Sequence, residues 1–277
     1  MAAATVERSQ RTLREEVTLA GIGIHTGAAV TVLLAGAPPG TGVHFVRRDQ
    51  SATAIPAGVA WVRDTRRGVT LGNGVTVASV EHLLSAAAGL GIDNLHVSVD
   101  GPELPALDGS AAGYVQALET GGIIEQDAPA RVIELGEAEV VLGAGRAVTR
   151  AADRFHITYA VDLPPPLGAQ VAAADLGAYR EAIAPARTWG FVHEYPGLLS
   201  EGLARGAALQ NVLVIGAGGY LNPPRFPDEP ARHKILDLIG DLALLGVRLR
   251  GSVEVAYGGH ALHLALAREI ARRWRDA

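Results

Sequence analysis

Two kinds of hydrophobic spacing succeed one another along the first half of the chain. Alternating or β-branched runs predict strands at residues 17–19, 29–34, 43–47, 68–71, 75–77 and 95–99. Helical spacing predicts two helices, at 80–88 and 111–118, with glycines at their C-terminal ends. We expect Ser79 and Ser110 to cap their N-terminal ends. The predicted order after the first strands is therefore helix, strand, helix.

The second half repeats this order. The predicted elements are strands at 132–135, 140–142 and 155–161, then, after a segment rich in proline and glycine, a helix at 230–245, a strand at 253–257 and a helix at 260–274. The spacing also repeats, because Ser110 follows His82 by 28 residues and His260 follows His233 by 27. If the two units pack about a pseudo-two-fold axis with their helices facing, His82 and His233 converge between them, where small-molecule sites tend to form.

The composition is that of a globular protein with a sizeable core. Of 277 residues, 48% are hydrophobic and 19% are charged, which suits one large domain or two ordinary ones. The net charge of -5 argues against a nucleic-acid partner. The N-terminal residues lack the apolar stretch of a signal peptide, and no apolar run reaches about 18 residues, so we expect a cytoplasmic protein without a transmembrane segment.

The basic residues draw attention to one short motif. Among 24 lysines and arginines, Lys234 is the one lysine, which suggests a need for a compact point charge in place of a planar fork. His233 and Asp237 flank it, four residues apart, and would share one helix face as two metal ligands do. Chance is the alternative, because this spacing is common. Since the chain has no cysteine, a metal would be held by histidine and carboxylate, a set typical of catalytic sites.

Glu81 and His82 supply further parts of a metal hydrolase. Successive helical residues point about 100° apart, so His82 could bind a metal while Glu81 reaches the open position as a general base. His260, at a predicted helix N-terminus, is the candidate acid or oxyanion partner, and Asp241 could orient its imidazole. Each has a simpler explanation: Glu81 as an acid that complements the helix dipole, Asp241 as a surface charge and His260 as a capping residue.

An ordered series of short motifs runs through nearly the whole chain. The motifs are Gln10 to Leu13, Gly21 to Gly27, Val80 to Leu84, Gly91 to Asn94, Asp100 to Glu103, Asp108 to Ser110, Phe155 to Ile157, Ala184 to Thr188, Gly190-Phe191, Arg232 to Asp237, Gly240 to Leu242 and Gly259 to Leu262. In these motifs the chain resembles the bacterial UDP-3-O-acyl-N-acetylglucosamine deacetylases, zinc amidohydrolases that act at the committed step of lipid A synthesis. Such an ordered set is very specific.

The resemblance implies a role for each candidate residue. The implied ligands of one zinc ion per chain, with ferrous iron as an alternative, are His82, His233 and Asp237. Glu81 would be the general base and His260 the general acid, oriented by Asp241; either His260 or Glu81 would protonate the leaving amine. Thr188 would help to hold the oxyanion, and Lys234 would lie beside the attacking water. The implied substrate contacts are Trp189, Phe191, Thr188 and Lys234.

The resemblance also implies an α/β sandwich of two similar β-α-α-β-type domains, with helix pairs packed between two sheets. We place the first domain at residues 8–125, with the predicted base, and the second at 130–277, with the predicted acid. An insert at about 187–214 would form an apolar passage for the acyl chain of the substrate, although an ordinary β-α-β core is the alternative. Pro196 and Gly197 favour an irregular excursion at a sheet edge. We expect a monomer.

A few positions depart from the family pattern. They are Trp189 in place of the usual phenylalanine, Tyr257 where a lysine commonly assists the nucleotide diphosphate, Gln210 where aspartate is common, and His263-Leu264 at an asparagine-rich pair. We expect Tyr257, Gln210 and His263 to lie on the substrate side of the site. The acyl-chain length and the identity of the sugar are therefore less well determined than the chemistry.

The function implied is zinc-dependent hydrolysis of the acetamide of UDP-3-O-acyl-N-acetylglucosamine to the free amine and acetate. One alternative is a paralogous zinc amidohydrolase acting on a different acylated amino sugar, which Tyr257 and Gln210 make plausible. A second alternative is a non-catalytic binding protein on the same fold. This second alternative is disfavoured because every expected catalytic position is filled.

Overall fold

The computed structural model describes residues 8–50 and 53–274; residues 275–277 of the second predicted domain lie outside the described part. The strands are β1 Ser9–Leu13, β2 Val17–Ile22, β3 Ala29–Gly36, β4 Val43–Arg47, β5 Ala54–Pro56, β6 Val62–Asp64, β7 Thr70–Asn73, β8 Val75–Val77, β9 Leu95–Val99, β10 Ile123–Pro129, β11 Val132–Glu134, β12 Ala138–Leu142, β13 Gly145–Arg150, β14 Phe155–Asp162, β15 Ala169–Asp175, β16 Trp189–Phe191, β17 Leu213–Gly216, β18 Gly219–Tyr220 and β19 Arg248–Ala256. The helices are α1 Glu81–Gly89, α2 Ala112–Thr120, α3 Tyr179–Ala182, α4 Tyr195–Ser200, α5 Glu229–Ala243 and α6 His260–Trp274.

Two sheets share one topology. The first has the order β2-β3-β9-β4-β5, and the second has the order β12-β13-β19-β14-β15, with β11 also pairing with β19. In each sheet the central strand, β9 or β19, is antiparallel to one neighbour and parallel to the other. In chain order this strand lies between two helices, α1 and α2 or α5 and α6. The repeat predicted from the sequence is thus a duplication of one unit, and the predicted α/β sandwich is confirmed.

The core lies where the helices meet the two sheets. On β3 the side chains of Val30, Val32 and Leu34 are buried and the intervening ones are partly exposed, as the two-residue period of a strand requires. Helix α1 packs on α5, and each also packs on the second helix of its own unit. The facing helices therefore bring the first turn of α1 against the middle of α5. No helix in the described part of the chain is long and apolar enough to cross a membrane.

The predicted capping of α1 by Ser79 is wrong. Ser79 has a φ of 56°, its hydroxyl donates to Oε1 of Glu103 at 2.9 Å, and α1 starts at Glu81 without a side-chain cap. The buried carboxylate of Glu103 is a stronger acceptor for this hydroxyl than the helix backbone can offer. Ser110 comes nearer to its predicted role, because its Oγ accepts the backbone N–H of Ala112 at 3.1 Å.

The predicted insert contains a small sheet of its own. β16 runs parallel to β17, β18 completes the sheet antiparallel to β17, and α4 lies between β16 and β17 in the chain. The segment is therefore a β-α-β unit, but one outside the two main sheets. Pro196 fits within the first turn of α4, where a missing N–H is tolerated. The exact limits of the insert and of the two domains stay predictions.

Candidate active site

The three predicted metal ligands meet between α1 and α5. His82 is in the first turn of α1, and His233 and Asp237 are one turn apart on α5. The Nε2 atoms of His82 and His233 lie 3.7 and 3.3 Å from Oδ1 of Asp237, and one ligand atom from each residue lies within 4.8 Å of the others. Two imidazoles and a carboxylate at this spacing fit a tetrahedral divalent cation with a position left open for water.

Burial keeps the two ligand imidazoles neutral, and neighbouring charges keep the ligand carboxylate ionised, which are the protonation states that bind a metal. Burial, together with the neighbouring His233, lowers the pKa of His82 to about 3, and burial lowers the pKa of His233 as well. The Nδ1–H of His233 donates to the Ala186 carbonyl at 3.1 Å, which leaves Nε2 as the free nitrogen that faces Asp237. Burial opposes the charge of Asp237, yet His233 and Lys234 hold its pKa well below the ordinary value.

Lys234 lies at the edge of this cluster. Its Nζ donates to Oδ2 of Asp237 at 2.8 Å. The two oxygens of that carboxylate therefore face different groups, Oδ1 the imidazoles of His82 and His233 and Oδ2 the ammonium. The same Nζ lies 5.9 Å from the ring centroid of Trp189. The one lysine of the chain is thus placed between a ligand carboxylate and an aromatic ring that lines the cavity.

Glu81 is buried beside His82 and faces the same cavity. Its Oε2 accepts the backbone N–H of Val69 at 2.8 Å, and Gly68 leaves room for it, since a Cβ at residue 68 would lie 3.0 Å from Oε1. Burial, reinforced by Asp237 and opposed by His260, raises the pKa of Glu81 to about 7. A carboxyl group that titrates near neutrality is suited to act as a general base.

His260 and Asp241 form a buried pair. The Nδ1–H of His260 donates to Oδ2 of Asp241 at 2.8 Å, while its Nε2 lies 3.9 Å from Oδ2 of Asp237. Burial disfavours the charged imidazole, but the negative charges of Asp241 and Asp237 have the larger effect and raise the pKa of His260 to about 9. Asp241 is fully buried, so the alternative of a surface helix charge is wrong.

The expectation that His263 lies on the substrate side is also wrong. His263 is fully buried behind His260, with its Nδ1 2.7 Å from Oδ2 of Asp241 and its Nε2 2.8 Å from the hydroxyl of Tyr159. The spacing of one helical turn between His260 and His263 was a usable signal for His263. Tyr159 is one of several alternating residues on β14, and nothing local distinguishes it. Tyr257, by contrast, is 56% exposed and does line the cavity.

Two cavities meet at these residues. The first has a volume of about 400 Å³ and is lined by Glu81, His82, Thr188, His233, Lys234, Asp237 and His260, among others. The second, of about 380 Å³, has largely apolar walls that include Ile24, Leu104, Phe191, Leu198, Val212 and Val214. Arg67, Glu81, His82, Thr188 and Trp189 line both. The catalytic candidates therefore lie where an apolar passage meets the catalytic cavity.

A buried ion pair holds Arg187, the residue before Thr188. The backbone N–H and the Nε–H of Arg187 both donate to Oε1 of Glu229, each at 2.9 Å, and Glu229 begins α5. Next to it, the N–H of Thr188 donates to the Gly109 carbonyl at 2.7 Å. Thr188 is thus attached to both units at the junction of the two cavities.

Arg67 was not singled out from the sequence. Its guanidinium forms a two-pronged ion pair with Glu194 at 3.1 and 3.3 Å, which joins the first unit to the turn that precedes α4. Both side chains are partly exposed. The sequence offers little to distinguish Arg67, because it is one of many arginines.

Known proteins match the chain over nearly its whole length. The family model described as LpxC, UDP-3-O-acyl N-acetylglycosamine deacetylase, matches residues 10–272. A relative from Myxococcus xanthus, named UDP-3-O-acyl-N-acetylglucosamine deacetylase, is 43% identical over 270 residues, or 95% of this chain and 86% of the relative. Relatives of the same name from Phenylobacterium zucineum and Thermosynechococcus vestitus are 42% and 40% identical, covering 96% and 97% of this chain and 95% and 96% of their own lengths. The chain belongs to the UDP-3-O-acyl-N-acetylglucosamine deacetylase family.

Proposed function

We propose that the protein is a metal-dependent deacetylase that hydrolyses the acetamide of UDP-3-O-acyl-N-acetylglucosamine in lipid A synthesis. One observation carries the proposal: Glu81 and His260 line the cavity of the His82, His233 and Asp237 cluster, which adjoins an apolar passage. A base, an acid, a cation site and room for an acyl chain are thus adjacent. The names of the relatives agree with this substrate.

We infer that the metal is zinc. His82, His233 and Asp237 would hold it, and their donor set is one that zinc accepts in catalytic sites, although ferrous iron is compatible with it. When bound, zinc would polarise the acetamide carbonyl and lower the pKa of a water molecule.

The protein side chains then account for the proton transfers. Glu81, as a carboxylate, removes a proton from the attacking water, whose oxygen forms the new bond to the carbonyl carbon. The Thr188 hydroxyl and the Lys234 ammonium donate to the negative oxygen that develops. As the C–N bond breaks, His260 gives a proton to the amine nitrogen, or Glu81 returns the proton that it took. Asp241 keeps the imidazole of His260 oriented throughout.

The same cavities account for substrate binding. The acyl chain would lie in the passage along Phe191, with Trp189 at the junction with the catalytic cavity. The diphosphate needs positive charge, and, with Lys234 assigned to the oxyanion, Arg67 in the lining of the catalytic cavity could supply it. Arg67 would have to share its charge with Glu194.

One observation favours a second candidate, an amidohydrolase for a different acylated amino sugar. Tyr257 is an exposed aromatic residue of the catalytic cavity, in the place where the family commonly has a lysine for the diphosphate. An aromatic ring stacks on sugars or bases but brings no charge.

An acetate-release assay on the zinc-loaded full chain tests the proposal. We expect turnover of the UDP-linked acylated substrate, loss of turnover with a chelator and its recovery when zinc is restored. An acylated acetamido sugar without the nucleotide is the comparison, and its preferred hydrolysis would favour the second candidate. A zinc-loaded protein inert toward both substrates would overturn the proposal and favour the non-catalytic alternative.

A further inference from the structure

Four side chains form a continuous buried hydrogen-bond chain behind the catalytic cavity. The hydroxyl of Tyr159 on β14 lies 2.8 Å from Nε2 of His263, and Nδ1 of His263 lies 2.7 Å from Oδ2 of Asp241. The same Oδ2 accepts a second hydrogen bond, from Nδ1 of His260 at 2.8 Å. Three elements, β14, α5 and α6, thus supply one polar network, and His263 occupies its centre.

The direction of every hydrogen bond in this chain is determined. Burial opposes the negative charge of Asp241, but the two imidazoles keep its pKa below the ordinary value, so it is a carboxylate that only accepts. Both imidazoles must therefore donate through Nδ1–H. Burial also lowers the pKa of His263 and raises that of Tyr159, so a neutral imidazole accepts the Tyr159 hydroxyl at Nε2.

The shared oxygen makes the arrangement a positioning device. Oδ1 of Asp241 is buried and has no hydrogen-bond partner in the described part of the chain, so Oδ2 alone carries both bonds. Rotation about the bond to a carboxylate carbon is soft, and a single donor restrains it poorly. Two donors from different directions, His260 and His263, restrain the plane of the carboxylate.

These contacts also argue against a second metal at the same place. Asp241, His260 and His263 have a composition that could hold a cation. Their N···O distances of 2.7 and 2.8 Å are, however, those of charge-assisted hydrogen bonds. Because each imidazole is already hydrogen-bonded to the carboxylate, the three side chains leave no space between them for an ion.

We propose that His263, itself held by Tyr159, is a positioning residue that keeps Asp241 aligned and thereby keeps the Nε2 of His260 directed into the catalytic cavity. The proposal rests on the role given to His260 in the proposed function. His263 does not line the catalytic cavity; it acts through Asp241. Its replacement therefore affects the chemical step more than substrate binding.

Two matched substitutions separate this role from simple packing. In His263→Asn the side-chain nitrogen takes the place of Nδ1 and still donates to Asp241, whereas His263→Leu has the same branching and no donor. We expect the leucine variant to lose about 10- to 100-fold in kcat, as for other partners that orient a catalytic group. KM and zinc content should stay at parent values. The asparagine variant should recover most of the kcat.

A spectroscopic measurement makes the test independent of activity. In full-length protein with 15N-labelled histidine, both with and without zinc, we expect His263 in the neutral Nδ1–H tautomer and His260 with a proton on Nδ1, whether or not its Nε2 is protonated as well. In His263→Leu the Nδ1–H signal of His260 should lose the position typical of a hydrogen bond to Asp241, and in His263→Asn it should match the parent. This measurement on the parent also decides the proposal if the leucine variant does not fold.

Three results would overturn the proposal: parent kcat in a folded His263→Leu protein, an equal loss of kcat in the asparagine and leucine variants, or a His260 in the parent that is protonated on Nε2 and not on Nδ1. An inactive parent with the expected tautomers would instead count against the proposed function. The two failures are therefore distinguishable.

Discussion

The backbone carbonyl of Glu81 lies against Gly240 of the facing helix. A Cβ at residue 240 would come 2.1 Å from this oxygen, so only a glycine permits the approach. The contact brings the first turn of α1, with His82, beside the α5 residues His233 and Asp237. One close backbone approach thus sets the separation of the ligands contributed by the two units.

Gly240→Ala should push α1 away from α5. We expect the free energy of unfolding to fall by about 1–3 kcal/mol, as for other overpacked sites, and the affinity for zinc to fall with it. Chemical denaturation and metal titration measure the two effects. Gly177→Ala is the control, because a Cβ at residue 177 meets no atom of the described residues within 4 Å. Unchanged zinc affinity in Gly240→Ala would contradict this account of the ligand separation.

Glu81→Gln should retain zinc and lose turnover. Glutamine cannot remove a proton from water, and the loss of a general base costs about 10²- to 10⁴-fold in rate. The Val69 N–H can still donate to the amide oxygen, so the fold around the site should persist. Metal analysis and acetate release check both points, with His82→Ala as the variant expected to lose zinc. Equal turnover in Glu81→Gln and the parent would exclude Glu81 as the base.

The stability of the zinc-free protein should depend on the ionisation of Glu81. In the folded protein the pKa of Glu81 is about 7, above the ordinary 4.5, so folding favours the protonated carboxyl group. The contribution of this group to the free energy of unfolding is fully present below pH 4.5 and is lost as the pH rises through 7. Glutamine does not ionise, so the Glu81→Gln variant should not lose this stability as the pH rises. We expect the variant to exceed the parent by about 1–3 kcal/mol at pH 8 and to match it at pH 4.5.

Denaturant titrations at the two pH values measure this difference. Glu16→Gln changes an exposed glutamate and should give no pH-dependent gain. A Glu81→Gln protein that is no more stable than the parent at pH 8 would show that burial does not raise the pKa of Glu81 in solution.

Lys234→Arg should impair turnover while leaving zinc bound. The ammonium fits between Oδ2 of Asp237 and the ring of Trp189, and a planar guanidinium needs more space and a different hydrogen-bond geometry. We expect kcat/KM to fall on the order of tenfold, as for other partners of a metal ligand. The comparison is Arg66→Lys, a cation exchange at a side chain that is 82% exposed. Full activity in Lys234→Arg would make the lone lysine an accident of composition.

Val214→Phe should shorten the apolar passage. Val214 lines it from β17, and a larger ring would occupy space needed by the far end of a long acyl chain. We expect KM to rise on the order of tenfold or more for a long-chain substrate and to change little for a short-chain one. Val171→Phe, at a 60% exposed position of β15, is the control. An equal effect on both substrates would place the acyl chain elsewhere.

Local patterns predicted those elements whose signals lie within one segment. The helical spacing of 80–88, 230–245 and 260–274 and the alternation on β3 and β14 gave elements close to the observed bounds. Strand β1 was missed because Leu13 is its one apolar residue, so the segment shows no alternation. Its position follows from pairing with β10, in a register that joins Leu13 to Ile123. Pairing over such a distance leaves no trace in either segment alone.

The candidate site, like the fold, could be predicted from the sequence only in part. The sequence by itself determined which residues carry chemistry and that His233 and Asp237 share a helix face, because the helical period is a property of the backbone. Only the tertiary structure decided that His82 meets them across α1 and α5, that Asp241 is buried, and that His263 turns away from the substrate. Those distances join atoms on different elements, and they depend on how the sheets and helices pack rather than on any local pattern.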